Sequence, residues 1–225
     1  MAVFYSLHLG VTNVYLLKAN EGYLLIDTGY PQDYQRFLNA LGDVELSSIR
    51  YLLLTHHHDD HAGFAAELVK RTECRIIAHQ NSVEHLGVGF SLAANRPLNS
   101  CVWMLSKLLR LVHPKPEYPR VVLLENDILI SGDSYFLKEI GIDGVIIETP
   151  GHTSDSLSVI LSDGSAFVGD AAVNMLLPCT RYRPFVVENM DLVYASWRKL
   201  RDYGARVIYP SHGKPFSIEV LERRV

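Results

Sequence analysis

The stretch Thr55-His56-His57-His58-Asp59-Asp60-His61-Ala62-Gly63 constrains this chain more than any other. It follows the apolar run Tyr51-Leu52-Leu53-Leu54, which reads as a buried strand. It precedes Phe64-Ala65-Ala66-Glu67-Leu68-Val69, which reads as a helix opening. Four histidines and two aspartates thus sit at the carboxyl end of a strand, where α/β sheets place their sites. In extended or turning backbone, alternate side chains project to one side, so His56 and His58 point together while His57 points away. Asp60 and His61 follow at the helix entry and address a second, nearby point. Imidazole and carboxylate suit zinc first, and also iron and manganese. The spacing reads as a seat for two divalent metal ions. A histidine tract at a terminus, without a flanking strand and helix, would read as a tag remnant or surface scavenger.

A chain of 225 residues can bury a full core and is most simply one domain, 1–225. The formal charge of −4 shows no basic excess, so a nucleic-acid partner is not expected. Cys74, Cys101 and Cys179 are widely spaced with no C-x-x-C, which indicates neither a disulfide framework nor a cysteine zinc site. Reduced thiols, no basic leader before Lys18 and no uncharged run near the ~20 residues of a membrane span point to a cytoplasmic protein without a membrane partner. The most hydrophobic helix candidate, Cys101 to Val112, is interrupted by Lys107 and Arg110.

Short strands are expected at Phe4–Leu9, Asn13–Lys18 and Tyr23–Ile26, the last ending in Asp27-Thr28-Gly29. Tyr34, Phe37, Leu38 and Leu41 follow the i, i+3, i+4, i+7 spacing of an amphipathic helix that Gly42 closes. A strand at 50–55, a helix to about Lys70 and a strand at Cys74–Ala78 come next. Residues 80–119 break the rhythm with Pro97, Pro114, Pro116 and Pro119, and read as a helical insertion forming a lid. Its Trp103 face serves equally as a contact in a homodimer. Further strands are expected at Val121–Leu124, Tyr135–Leu137, Val145–Glu148, Leu157–Leu161, Ala166–Val168 and Val207–Tyr209. Helices are expected at Leu192–Tyr203 and Ile218–Arg224. Two runs of strands with intervening helices indicate an α/β (α+β) protein, two facing sheets with helices outside: a four-layer αββα sandwich.

Three later strand ends carry more candidates. His152 follows a Pro-Gly turn after Val145-Ile146-Ile147; Asp170 follows Phe167-Val168-Gly169; His212 follows Tyr209-Pro210-Ser211. Each alone is weak, but together the set holds five histidines and two aspartates at strand termini. These motifs, from Asp27 to His212, resemble those of the metallo-β-lactamase-fold superfamily. The resemblance implies that His56, His58 and His152 bind one ion, that Asp60, His61 and His212 bind the other, and that Asp170 bridges them. Asp170 resembles the hydroxyacylglutathione hydrolase, lactonase and phosphodiesterase branches rather than the true β-lactamases. His58 stands where the flavo-diiron oxygen reductases carry glutamate, and the basic arm of a tRNA 3′-end nuclease is not visible. Two features of those branches have no match here: the C-terminal thiol-binding helical domain, and the lactonase tyrosine shortly after the bridging aspartate, where Ala171-Ala172-Val173-Asn174 stand.

The expected activity is hydrolysis of an ester-type bond (thioester, lactone or phosphoester) in a small-molecule substrate by a hydroxide shared between two cations about 3.5–4 Å apart. Asp60 is the expected catalytic residue: one oxygen on a metal, the other carrying a proton to the leaving group. The alternative is an oxygenase of the persulfide dioxygenase type, with one iron on His56, His152 and Asp170; a metal-binding protein without activity is a third reading. Asp27 and Thr55 read either as groups that orient ligand imidazoles or as a turn carboxylate and a strand-end cap. His8, His57, His79, His85 and His113 have no matching partner and read as structural or surface residues. Arg181, Tyr182, Arg183 and Lys214 are candidates for substrate contact, though surface charge is the simpler account of the cations.

Overall fold

Strand Asn13–Lys18 (β2) shows how the layers arise, because only its last residue is exposed. Val14 and Leu16 point into one cluster of buried apolar side chains, Tyr15 and Leu17 into another. A strand buried on both faces needs a layer on each side. The computed structural model describes residues 3–91, 96–98, 100, 103–104, 117–175, 180 and 182–223.

The first sheet joins β2 to Phe4–His8 (β1), Tyr23–Ile26 (β3), Ile49–Leu53 (β4), Arg75–His79 (β5) and, across a crossover, Ile128–Ile130 (β7). Strands β1, β2 and β3 pair antiparallel; β3, β4, β5 and β7 pair parallel. The second sheet runs Phe216–Ser217 (β13), Val207–Tyr209 (β12), Ser165–Phe167 (β10), Leu157–Leu161 (β9) and Gly144–Glu148 (β8). A two-stranded ladder, Arg96–Pro97 (β6) with Val186–Val187 (β11), lies apart from both.

Between the sheets, Leu24, Ile26, Leu53 and Ile77 meet Ile146, Leu157, Val159 and Phe167. The outer face of the first sheet packs on helices Tyr34–Ala40 (α1), Ala65–Thr72 (α3) and Val83–Val88 (α4), through Phe37, Leu68 and Leu86. The outer face of the second packs on Met190–Asp202 (α6) and Glu219–Glu222 (α7), through Val193, Trp197 and Leu221. The four-layer αββα sandwich follows. Asn189 opens α6, its side chain accepting from the N–H groups of Asp191 and Leu192, which satisfies two helix-end donors.

Several local readings change. Tyr135–Leu137 is not a strand: Phe136–Glu139 form a short helix (α5) that buries Leu137 under the second sheet's β8 side. Val121–Leu124 join no ladder, while Ile128–Ile130, too short for a periodic signal, completes the first sheet. The helix after the histidines is two pieces, Asp59–Ala62 (α2) and α3. Within 80–119, α4 belongs to the helical layer, whereas most of Cys101 to Val112 lies outside the described residues; Trp103 and Met104 are helical and exposed.

Candidate metal centre

Every candidate ligand follows the carboxyl end of a strand. His56, His58, Asp60 and His61 come after β4, His152 after β8, Asp170 after β10 and His212 after β12. Sheet twist and parallel pairing bring β4, β10 and β12 to the same edge of the sandwich, which is why Asp60 and His212, 152 positions apart, meet. Two glycines permit the close approach. Gly169 has φ +52°, and a Cβ there would lie 2.5 Å from the Thr55 hydroxyl; at Gly151, φ +134°, it would lie 2.4 Å from the Val193 nitrogen.

All seven predicted residues converge. His56 Nε2, His58 Nδ1 and His152 Nε2 form a triangle with sides of 3.1, 3.0 and 3.1 Å. Beside it, His212 Nε2 lies 3.0 Å from Asp60 Oδ2, and His61 Nε2 lies 3.5 Å from Asp60 Oδ1. Asp170 stands between the groups: Oδ2 is 3.7 Å from His152 Nε2, and Oδ1 is 3.6 Å from His61 Nε2 and 3.4 Å from His212 Nε2. Each of the sets His56/His58/His152, His56/His61/Asp170 and Asp60/His61/His212 can hold an ion.

The outward nitrogens decide which way the lone pairs point. His152 Nδ1 donates to the Val186 carbonyl (2.8 Å) and His212 Nδ1 to the Val11 carbonyl (2.9 Å). His61 Nδ1 donates to Asp27 Oδ2 (2.8 Å). Thr55 Oγ1 donates to the same carboxylate oxygen at 2.7 Å, leaving its lone pair to His56 Nδ1–H at 3.1 Å. These bonds put the Nε2 lone pairs of His56, His61, His152 and His212 inward. Facing lone pairs 3.1 Å apart repel, and His61 Nε2 and Asp170 Oδ1 are buried with no hydrogen-bond partner. A divalent cation in each group would satisfy both, so nitrogen and carboxylate donors fit the metals expected of them.

The electrostatics agree. Burial, reinforced by neighbouring imidazoles, holds His56 and His58 far below the ordinary histidine range; burial also lowers His152. Burial opposes charge at Asp60 too, but His61 and His212 outweigh it and keep the carboxyl far below its usual range. The same contest runs the other way at His61 and His212. Burial lowers them, yet Asp60 and Asp27 push His61 up to about 10, and Asp170 and Asp60 push His212 up to about 9. With the protein's charges alone, two protons occupy the acidic side of the site, and cation binding displaces them.

Asp27 and Thr55, open between two readings on sequence, belong to the site's support. Asp27 is fully buried at φ +61° and accepts from the Thr55 N–H, the Thr55 hydroxyl and His61. His57 and His79, read as structural or surface residues, are buried and carry carboxylate partners: His57 Nδ1 lies 3.0 Å from both oxygens of buried Asp155, and His79 Nε2 lies 2.8 Å from Glu148. These pairs span 98 and 69 residues, and no local pattern announces them. Tyr182 packs its ring on Phe216 at 4.7 Å in the outer cluster of the second sheet, and Arg183 donates to the Thr180 carbonyl. Arg181 and His113 lie outside the described residues. Among the described residues, no helix is long and apolar enough to cross a membrane.

The protein-family model of the metallo-beta-lactamase superfamily matches residues 8–212. The chain is 27% identical over 209 residues to a beta-lactamase-like protein 2 homolog of Drosophila melanogaster, covering 90% of this chain and 58% of that one. It is 24% identical over 216 residues to an atrochrysone carboxyl ACP thioesterase of Aspergillus fumigatus, covering 95% and 54%. The chain thus spans little more than half the length of these relatives. An archaeal superfamily protein from Sulfolobus tokodaii superposes with a TM-score of 0.70 at 20% identity, over 100% of this chain and 85% of its own, which shows the fold. With the family model spanning every candidate ligand from His56 to His212, the chain belongs to the metallo-β-lactamase superfamily.

Proposed function

We propose that this chain is a dinuclear metal-dependent hydrolase of an ester-type bond in a small molecule, with zinc as the leading ion and iron or manganese as substitutes. The observation that carries the reading is one carboxylate shared by two ligand groups: Asp170 turns Oδ2 to His152 and Oδ1 to His61 and His212. His56, His58 and His152 would hold one ion, and Asp60, His61 and His212 the other. When bound, such a pair supplies Lewis acidity and a water acidified toward neutrality.

The chain's own residues prepare the rest. The carbonyls of Val186 and Val11 and the Asp27–Thr55 pair keep ligand lone pairs inward and the rings immobile. Asp60, the carboxylate of the Asp60/His61/His212 group, accepts a proton from the attacking water and returns it to the leaving group. Its side chain is 15% exposed against 0% for His61, which favours Asp60 as the group substrate can reach. Thioesters, lactones and phosphoesters all fit this chemistry; the thioesterase named among the relatives supports trying thioesters first.

The test is metal content by elemental mass spectrometry on untagged protein purified without added metal, followed by a thioester, lactone and phosphodiester panel. Two equivalents per chain with hydrolysis are expected. Asp60→Ala should lose ~10²–10⁴-fold in turnover, the usual worth of general acid–base catalysis. A fully metallated Asp60→Ala enzyme with wild-type turnover removes the proton-carrier role. One equivalent of iron alone, with oxygen uptake and no hydrolysis, replaces the hydrolase by an oxygenase. No metal after reconstitution refutes both.

A further inference from the structure

His57 sits between two ligands yet faces away from them, 3% exposed. Its Nδ1 approaches both oxygens of Asp155 at 3.0 Å, and Asp155, 1% exposed, lies three residues beyond His152. The Tyr118 hydroxyl donates to the His57 carbonyl at 2.6 Å, and the His85 ring stacks on the imidazole at 4.2 Å and 23°. The loop bearing His56 and His58 is therefore tied to the loop bearing His152 by a symmetric contact that fixes both the ring plane and the loop separation.

We propose that the His57–Asp155 contact is a positioning clamp that sets the ion affinity of the His56/His58/His152 group and leaves the Asp60/His61/His212 group unaffected. The inference rests on the metal-centre reading above. The triangle takes two corners from one loop and the third from the other, so loop separation enters its geometry directly. The second group draws on α2 and the turn after β12, with His61 and His212 held instead by Asp27 and the Val11 carbonyl. A histidine–carboxylate contact this deeply buried is a poor source of stability alone, since desolvation offsets most of the attraction.

The experiment titrates the full chain with Zn(II) against a chromophoric chelator in two backgrounds. His212→Ala leaves the tri-histidine group whole, and His152→Ala leaves the other whole. In the His212→Ala background, Asp155→Ala should raise the zinc Kd about 10–100-fold, the usual cost of removing a group that orients a ligand. Asp155→Asn, which keeps an acceptor oxygen, should restore most of the affinity. In the His152→Ala background Asp155→Ala should change Kd by no more than about twofold, because Asp27 and the Val11 carbonyl, not this contact, hold His61 and His212. Equal weakening in both backgrounds, or none in either, overturns the clamp. If Asp155→Ala does not fold, His57→Phe, which keeps the stacked ring and removes the donor, carries the same comparison with the same outcomes. If the unsubstituted chain takes up no zinc, the metal-centre reading fails, a result distinct from failure of the clamp.

Discussion

Replacing Asp27 by alanine removes the acceptor of four buried hydrogen bonds: the Thr55 N–H and hydroxyl at 2.7 Å each, His61 Nδ1–H at 2.8 Å and the Ser211 hydroxyl at 3.3 Å. The Thr55 and Ser211 hydroxyls can rotate, but the Thr55 N–H and His61 Nδ1–H have no substitute acceptor at such distances. Stranding two buried donors costs about 1–3 kcal/mol each, so Asp27→Ala should lose roughly 2–6 kcal/mol of a total typically near 5–15. Asp27→Asn is the sharper probe. Oδ1 serves the Thr55 N–H while Oδ2 serves His61, so an amide that keeps the first contact presents its NH₂ to His61. The His61 proton then moves from Nδ1 to Nε2, inside the site, where a cation needs a lone pair. The asparagine variant should unfold in urea much nearer the wild type than alanine does, yet bind zinc about 10–100-fold more weakly. An Asp27→Asn protein with wild-type zinc affinity would refute the claim that this carboxylate sets the His61 tautomer.

Three further outcomes follow from the packing and the charges. Phe167 is fully buried between the sheets, its ring 5.0 Å from Phe4, 4.8 Å from Tyr15 and 5.2 Å from Tyr209, so Phe167→Ala should cost about 3–5 kcal/mol in urea unfolding. Gly169→Ala places a Cβ 2.5 Å from the Thr55 hydroxyl at a left-handed φ; it should destabilise by about 1–3 kcal/mol and weaken zinc binding, both read by one denaturant and one chelator titration. Burial raises the Asp155 carboxyl, but His57 outweighs it and holds it at about 2 against an ordinary 3.8. A depressed acid stabilises the fold above its unfolded value and loses that contribution as pH falls through its folded one. The stability advantage of metal-free wild type over Asp155→Asn should therefore persist above pH of about 4 and vanish as pH approaches about 2; an advantage independent of pH would refute the ionised contact.

The strands that position the ligands were legible because their signals are local. Asn13–Lys18, Tyr23–Ile26, Leu157–Leu161 and Val207–Tyr209 carry dense apolar runs between turn residues, and each appears with those bounds. Tyr135–Leu137 misled for the same reason. Three residues of high β propensity look like a strand in a short window, and only the packing of Leu137 against the inter-sheet core shows that a helical turn buries it better. Ile128–Ile130 was invisible because its pairing with β5 bridges more than fifty residues.

The candidate ligand types, their order and their places at strand ends were written in the chain itself, since a histidine-rich turn between an apolar strand and a helix is a local pattern. What orients those ligands was not. The Val11 and Val186 carbonyls are backbone groups that any residue carries, so nothing in the letters marks them as partners of His212 and His152. Asp27 reaches His61 across 34 residues, and Asp155 reaches His57 across 98. Such contacts exist only once two sheets have packed and their strand ends share one edge, because a hydrogen bond depends on distances that sequence separation does not specify.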